Sequence, residues 1–313
     1  MAQTESNKTF RILSLDGGGA KGFYTLGVLH EVEAAARRPL CEIFDLIYGT
    51  STGSIIGTLL ATGRGVEEIH QLYKAHVPTV MRPRSRTAKT AALKNLAETV
   101  FKDDGFDTVK TGIGIVATNW QTDIPMIFKA DAGQAHGRLD TFVPGFGVKL
   151  SDAVQASCSA YPFFEKTIVT TAQGHTIELA DGGFCANNPA LYAIADATEA
   201  FKIERENISV LSIGCGVYPT PTKSIASQGY WIAKLPSVKL LQKVLEVNTQ
   251  SMEQLGKVLF DGINIVRVND RFAKPELATD LLEHDLSKLN ILRQQGCNSF
   301  AEREADIYSI LGR

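Results

Sequence analysis

Along the chain, short apolar runs alternate with longer stretches in which the apolar residues have helical spacing. Residues 10–15, FRILSL, are almost wholly apolar, whereas residues 23–36, FYTLGVLHEVEAAA, place apolar side chains three and four positions apart. The first pattern is typical of a buried strand and the second of a helix packed on one face. The same pair of patterns occurs again. It predicts a second strand at residues 43–49, IFDLIYG, and a helix at residues 54–63, SIIGTLLATG, that ends at Gly63.

The same alternation continues through the rest of the chain. Further strands are predicted at residues 112–119, 125–131, 176–181, 208–216 and 263–269. Helices are predicted at residues 150–160, 189–201, 238–259 and in the C-terminal tail. Strands that alternate with helices predict an α/β fold on a mainly parallel central sheet.

Length and pattern together suggest a simple division of the chain. Of the 313 residues, 1–219 are predicted to form a catalytic core and 220–313 a helical C-terminal extension packed on the same domain. The least regular segment is 76–94, HVPTVMRPRSRTAKTAALK, which is basic and interrupted by proline. We expect a surface loop there. The apolar stripe of residues 238–259 favours core or dimer packing over membrane insertion.

Composition excludes several classes of protein. The net charge of −2 gives no reason to expect binding to a nucleic acid polymer. Five scattered cysteines without a CxxC pair favour a reducing compartment over a disulfide framework or a zinc site. The N-terminus is polar, and no run approaches the ~20 apolar residues of a membrane span. We therefore expect a cytoplasmic protein that touches membranes only peripherally and needs no metal.

The sequence GTSTG at residues 49–53 is the first candidate for chemistry. A serine between glycines, after a strand and before a helix, is typical of the nucleophile elbow, in which a sharp turn exposes the hydroxyl. The N-terminus of the following helix favours negative charge at the site. Ser51 is therefore the candidate nucleophile, with Gly49 and Gly53 allowing the tight turn.

The sequence DGGGAKG at residues 16–22 also lies between a strand and a helix. It contains GxGxxG at Gly17, Gly19 and Gly22, but the acidic ribose ligand of a dinucleotide fold is missing from the end of the second strand. A P-loop would need Ser or Thr after Lys21. Consecutive glycine N–H groups can instead form an oxyanion hole. The predicted donors are Gly18 and Gly19, with Ala20 as a further candidate, and Lys21 either steadies the loop or meets an anion.

The group that takes the proton of Ser51 is harder to predict. A hydrolase triad requires a histidine after the serine, and His175 and His284 are the candidates, whereas His30, His70 and His76 are most simply surface residues. Asp181, in ELADGG at the predicted end of a strand, is the alternative. A desolvated carboxylate next to a serine can act as general base without histidine.

Taken together, the three motifs resemble those of the patatin-like phospholipase family. DGGGAKG, GTSTG and the DGG of residues 181–183 occur in that order, and the resemblance spans about residues 10–215. It implies a three-layer α/β/α fold with a Ser51–Asp181 catalytic dyad and an oxyanion hole that includes Gly18 and Gly19. Gly182 and Gly183 complete the third motif.

The resemblance implies a phospholipase A-type lipid acyl hydrolase that acts through an acyl-enzyme and needs no cofactor. An esterase with a Ser-His-Asp triad, a dinucleotide-binding protein and a catalytically inactive binding protein remain as alternatives. The run RILSLDGGGAKGFYTLGVLHEVE is also similar to bacterial patatin-like effectors of cyclic-oligonucleotide antiphage signalling. That similarity implies activation by a cyclic dinucleotide, antiviral defence and action at the inner face of the membrane.

The basic segment then acquires two candidate roles. Arg82, Arg84, Arg86 and Lys89 are candidates for contact with the phosphates of an activator or with anionic lipid head groups. A solvated loop is the simpler alternative. A homodimer is the default expectation for the assembly.

Overall fold

The computed structural model describes residues 9–217 and 236–313, without the side chains of residues 236–239 and 275. The predicted boundary at 219/220 lies outside the described residues. The described chain forms one eight-stranded sheet. Its strands are β1 (Phe10–Leu15), β2 (Leu46–Thr50), β3 (Gly112–Asn119), β4 (Ile124–Lys129), β5 (Thr167–Thr170), β6 (Thr176–Asp181), β7 (Ile208–Ile213) and β8 (Asn264–Val268).

Five of these strands are parallel and lie in the order β3-β2-β1-β7-β8. Parallel neighbours bring their carboxyl ends to one edge of the sheet, so the turns after β1 and β2 lie side by side there. Both turns carry glycine motifs, DGGGAKG and GTSTG. The three remaining strands are antiparallel additions, in which β4 and β6 pair with β3, and β5 pairs with β6.

The helices cover both faces of the sheet. They are α1 (Gly22–Ala36), α2 (Thr52–Ala61), α3 (Val66–Met81), α4 (Arg86–Phe101), α5 (Leu150–Ser157), α6 (Gly183–Ala186), α7 (Ala190–Ala195), α8 (Pro236–Leu259), α9 (Leu286–Glu302) and α10 (Glu304–Leu311). One turn of π-helix, Asp196–Ala200, continues α7.

Alternation along the strands divides the apolar side chains between two cores. In β1, Leu13 and Leu15 belong to the larger core, with residues of α1 to α5, α9 and α10, whereas Ile12 belongs to a smaller core with residues of α7. Successive strand residues point to opposite faces, so a sheet buried on both sides needs apolar residues at consecutive positions. The three-layer α/β/α architecture with a mainly parallel central sheet is confirmed.

Residues 76–81 belong to α3 and residues 86–94 to α4, so the expected surface loop is confined to residues 82–85. Pro78 lies inside α3, and its carbonyl accepts a hydrogen bond from the N–H of Arg82 at 3.0 Å. Ser85 then caps α4, since its hydroxyl accepts from the N–H of Ala88 at 3.2 Å. Pro78 does not end α3, and the side chain of Ser85 stabilises the start of a second helix. His70, expected at the surface, is buried in α3.

The C-terminal segment contributes a strand to the central sheet and a helix that packs on α1. β8 extends the parallel sheet beside β7, as the apolar run at 263–269 predicts, so the extension is not wholly helical. α9 lies directly on α1, where an added Cβ at Gly27 would lie 2.0 Å from the carbonyl oxygen of Arg293. An added Cβ at Gly296 would lie 2.2 Å from the carbonyl oxygen of Tyr24. The two helices therefore touch backbone to backbone.

This contact makes a specific prediction about stability. Gly296→Ala forces α9 away from α1, and we expect it to lower the free energy of unfolding by about 1–3 kcal/mol, as overpacking does. Urea denaturation measures the change. Asn290→Ala, at an exposed position of the same helix, is the control and should stay within about 0.5 kcal/mol of wild type. A Gly296→Ala variant as stable as wild type would contradict the packing of α9 described here.

Candidate active site

Ser51 lies in a strained turn between β2 and α2. Its backbone has φ 53° and ψ −124°, which is unusual for a residue with a side chain. An added Cβ at Gly49 would lie 2.3 Å from the carbonyl oxygen of Gly53, and one at Gly53 would lie 2.2 Å from that of Leu15. The two motif glycines therefore allow the helix to turn back directly against the strand, which is the geometry of a nucleophile elbow.

Ser157, at the end of α5, holds this turn in place. Its hydroxyl accepts a hydrogen bond from the N–H of Ser51 at 2.9 Å and donates to the carbonyl oxygen of Val116 at 2.6 Å. The serine turn is thereby fixed to the neighbouring strand β3. Sequence reasoning missed Ser157, because a serine within LSDAVQAS carries no signal that separates it from any other helical serine.

Asp181 reaches Ser51 because β2 and β6 meet end to end on one edge of β3. Residues 117–119 pair with β4 on one edge of β3, so their pairing with β6 uses the other edge. β2 occupies that second edge over residues 112–116. β2 ends with Thr50 opposite Val116, and the antiparallel β6 ends with Asp181 opposite Ala117. The two strands run towards each other and stop at adjacent positions.

The carboxylate of Asp181 is buried and accepts a backbone hydrogen bond. It is 3% exposed, and its Oδ1 accepts from the N–H of Gly183 at 2.7 Å. Burial raises the pKa of Asp181 to about 6, although the nearby hydroxyl of Ser51 and the N–H of Gly183 oppose that rise. A carboxyl group with this pKa is ionised at neutral pH yet basic enough to accept a proton.

The glycine loop after β1 supplies N–H groups next to Ser51. Gly17 and Ala20 use theirs on the carbonyl oxygens of Asn187 and Leu281, both at 3.0 Å. Ala20 is thereby removed as a donor. The N–H groups of Gly18 and Gly19 have no acceptor within the described ranges 9–217 and 236–313. Gly19 has a φ of 56°, which glycine adopts at low cost.

A buried ion pair fixes the start of this loop. Two nitrogens of Arg267, in β8, donate to the two carboxylate oxygens of Asp16 at 2.8 and 2.5 Å. The side chain of Asp16 is 3% exposed and that of Arg267 is 13% exposed. Paired N–H groups of a guanidinium match the geometry of a carboxylate. The C-terminal strand therefore helps to hold the loop that precedes the candidate oxyanion donors.

The other predicted glycines are close-packed positions. At each of them an added Cβ would lie within 2.6 Å of another atom, and the affected positions are Gly17, Gly22, Gly49, Gly53, Gly182 and Gly183. At Gly182 the obstacle is the carbonyl oxygen of Val116, 2.1 Å away. A side chain there would push Asp181 away from β3.

The predicted basic residues lie in different surroundings. Lys21 is buried, and its Nζ donates to the carbonyl oxygen of Gly216 at 3.1 Å, so it steadies the loop. Lys89 is also buried and donates to the carbonyl oxygen of Met81. Arg82, Arg84 and Arg86 are exposed.

An apolar cleft leads away from Ser51 and Asp181, with Gly18 and Gly19 also in its wall. Its cavity volume is about 70 Å³. Helices α2 to α5 supply most of its apolar wall, including Leu59, Val77, Val80, Leu96, Val100 and Val154. α8 contributes Leu241 and Leu245. A cleft of this chemistry can hold a hydrocarbon chain beside the serine hydroxyl.

No hydrogen bond joins Ser51 to a histidine among the described residues. Neither His175 nor His284 lines the cleft, and His284 is exposed, with its Nδ1 3.3 Å from the carbonyl oxygen of Leu282. His76 of α3 lies in the cleft wall. The described residues contain no group of three or more side chains suited to a metal ion, and none of their helices is long and apolar enough to cross a membrane.

Comparisons with known proteins agree with this geometry. The family model described as patatin-like phospholipase matches residues 13–194. The chain is 56% identical to a cUMP-AMP-activated phospholipase of Escherichia coli over 96% of this chain and 93% of that protein. It is 29% identical to a cGAMP-activated phospholipase of Escherichia coli strain TW11681, over 65% of this chain and 61% of that protein.

A solved structure shows the same fold at low identity. The crystal structure of VipD from Legionella pneumophila aligns with a TM-score of 0.50 and 13% identity, covering 97% of this chain and 67% of that one. The fold shared with this neighbour, the match of the family model and the identity with a full-length relative agree. The chain belongs to the patatin-like phospholipase family.

Proposed function

We propose that the protein is a phospholipase A-type acyl hydrolase that cleaves membrane phospholipid esters with Ser51 and Asp181 and is activated by a cyclic dinucleotide in antiviral defence. One observation carries the catalytic part. The same apolar cleft is lined by the hydroxyl of Ser51, the buried carboxylate of Asp181 and two loop N–H groups that have no acceptor among the described residues. These are the nucleophile, base and oxyanion donors that ester cleavage requires.

The first half of the reaction forms an acyl-enzyme. The Oγ of Ser51 attacks the ester carbonyl carbon as its proton passes to the carboxylate of Asp181. The N–H groups of Gly18 and Gly19 hold the oxyanion of the tetrahedral intermediate, and such a donor contributes about 3 kcal/mol to the transition state. Asp181 then gives the proton to the departing lysophospholipid oxygen, and the carbonyl re-forms as the acyl ester of Ser51.

The second half releases the fatty acid. Water attacks the acyl carbonyl and gives a proton to Asp181, the same N–H groups hold the second oxyanion, and the proton returns to Oγ as the acyl–serine bond breaks. Burial of Asp181 supports this role, because it raises the proton affinity of the carboxylate without a second charge nearby. This chemistry uses neither a metal ion nor a cofactor.

Regulation is inferred from the relatives. The two curated proteins compared here are named for activation by cUMP-AMP and by cGAMP, and the first spans nearly the whole chain. We infer that a cyclic dinucleotide also activates this chain. The proposed substrate is phospholipid of the inner membrane leaflet, which the protein reaches from the cytoplasm by peripheral contact.

The exposed arginines are suited to the lipid surface. Arg82 and Arg84 lie between α3 and α4, and Arg86 is the first residue of α4. Met81 of α3 and Leu93 of α4 line the cleft. The guanidinium of Arg86 lies 5.3 Å from the ring centre of Tyr161. We assign these cations to anionic head groups, whose attraction adds ~1 kcal/mol for each Lys or Arg near the surface. A homodimer remains the default assembly.

Loss of either proposed catalytic residue should abolish turnover. We expect Ser51→Ala and Asp181→Asn each to lower fatty-acid release from phospholipid vesicles at least about 10³-fold, with and without cUMP-AMP or cGAMP, and to remain folded by circular dichroism. Glu178→Gln, a carboxylate change on the same strand β6, is the control and should retain activity. Activity that survives Asp181→Asn but is lost in His284→Ala or His175→Ala would replace the dyad by a triad.

The pH profile should show the ionisation of Asp181. The reaction requires the ionised carboxylate, and burial raises its pKa to about 6. We therefore expect kcat/KM to be constant above that pH and to fall about tenfold per pH unit below it, because protonation removes the base. Measurement on a soluble ester with saturating activator avoids changes in vesicle binding. A profile that stays flat down to about pH 4, near an ordinary carboxyl pKa, would contradict this assignment.

The cleft should set the length of the acyl chain. Ala97 of α4 is 2% exposed and lines the cleft. In Ala97→Phe, we expect cleavage of long-chain phospholipids to fall at least about tenfold, while a short-chain ester is cleaved within about threefold of wild type, because the larger side chain shortens the cleft. Ala88→Phe, at an exposed position of α4, is the control. Equal losses on both esters would show that the cleft does not hold the acyl chain.

A further inference from the structure

A second cavity lies against the glycine loop. It shares Gly18, Leu245 and Leu281 with the apolar cleft, so the two spaces are separated by little more than one layer of residues. Its cavity volume is about 380 Å³, within the ~300–1,000 Å³ of small-molecule sites. We call it the polar cavity, and its polar lining includes Lys21, Asn187, Gln242, Lys243, Gln250 and Arg271.

The cations in this wall are weakly neutralised. The guanidinium of Arg271 donates to the neutral amide oxygen of Gln250 at 3.3 Å and has no ion pair within the described residues. The ammonium of Lys243 lies 3.9 Å from Glu246, which is a long ion pair. Asp16, the other acid in the wall, is already held by Arg267. Two exposed cations therefore remain for an anionic ligand, and phosphodiester oxygens suit them.

The rest of the wall can recognise the edge of a base. Asn187 is 6% exposed, and its Nδ2 donates to Thr249 at 2.8 Å and to the carbonyl oxygen of Gly17 at 3.3 Å. Its Oδ1 is buried and accepts no hydrogen bond in the part of the chain that the structure describes. Gln242 and Gln250 add further amide groups. Amide side chains read the donors and acceptors of nucleobases.

The walls of the polar cavity connect it to the catalytic loop. The loop's Gly17 and Gly18 form part of the wall, and Gly17 donates its N–H to Asn187. The opposite wall is α8, which also places Leu241 and Leu245 in the apolar cleft. Further along α8, Glu253 lies 3.5 Å from Arg267, the partner of Asp16. A ligand in this cavity touches both the loop with the oxyanion donors and the helix that lines the cleft.

We propose that the polar cavity is the binding site of the activating cyclic dinucleotide, with Lys243 and Arg271 on its phosphates and the amide side chains on its bases. The proposal rests on the function proposed above, since it assigns a place to that activator. It moves the phosphate-binding role away from Arg82, Arg84 and Arg86, none of which lines this cavity.

The test is nucleotide binding to the full chain in a Ser51→Ala background, measured by calorimetry with cUMP-AMP and with cGAMP. The double variant Lys243→Gln, Arg271→Gln removes both charges and keeps polar side chains of similar length. We expect the Kd of the nucleotide that binds to rise at least about tenfold for each lost charge-assisted contact. The matched control is Arg84→Gln, Arg86→Gln, which also removes two exposed cations and should bind like the parent protein.

The possible results distinguish a wrong assignment of the activator site from a wrong proposal of activation. If the Ser51→Ala protein binds neither nucleotide and vesicle hydrolysis by wild type responds to neither, activation itself is wrong, and this site assignment fails with it. If the parent binds and the polar-cavity variant binds equally well, the cavity is not the activator site, although activation stands. If only the Arg84→Gln, Arg86→Gln variant binds more weakly, the phosphates of the activator bind at the basic segment and not in the polar cavity.

Circular dichroism of each variant checks that it is folded. Gln250→Ala alters the polar cavity without a change of charge and is a second variant expected to weaken binding.

Discussion

The end-to-end meeting of β2 and β6 on one edge of β3 is the constraint on which the rest of the site depends. β2 leaves that edge after Val116, and β6 takes it over at Ala117 from the opposite direction. The strand ends that carry Ser51 and Asp181 therefore lie next to each other, without a loop to bring them together. Gly182, against the carbonyl oxygen of Val116, and Ser157, between Ser51 and the same oxygen, preserve this arrangement.

Burial raises the affinity of the Asp181 carboxylate for a proton, which is the property that its proposed role beside Ser51 requires. A carboxylate in this position has lost most of its contact with water, which raises its pKa to about 6 and its affinity for the proton of Ser51. The same surroundings strengthen hydrogen bonds from the glycine loop to a developing oxyanion. A single apolar environment thus surrounds the proposed base, the proposed oxyanion donors and the proposed acyl site.

The C-terminal segment packs around the candidate active site. β8 supplies Arg267 to Asp16 at the start of the glycine loop, α8 lines the apolar cleft and the polar cavity, and α9 packs on α1 through glycines. Any event that moves α8 would act on the acyl cleft and, through Glu253 and Arg267, on the loop. This arrangement gives a physical route by which a ligand outside the active site can control it.

The sequence by itself determined the alternating strands and helices, the positions of both glycine turns and the candidates Ser51 and Asp181, because these follow from local periodicity and turn chemistry. Single residues did not separate Asp181 from His175 and His284, and it was the resemblance carried by the three ordered motifs that favoured Asp181. Only the tertiary structure removed Ala20 as a donor, by pairing its N–H with Leu281. It also revealed Ser157, Arg267 and the two cavities, because each arises from contacts between residues far apart in the chain.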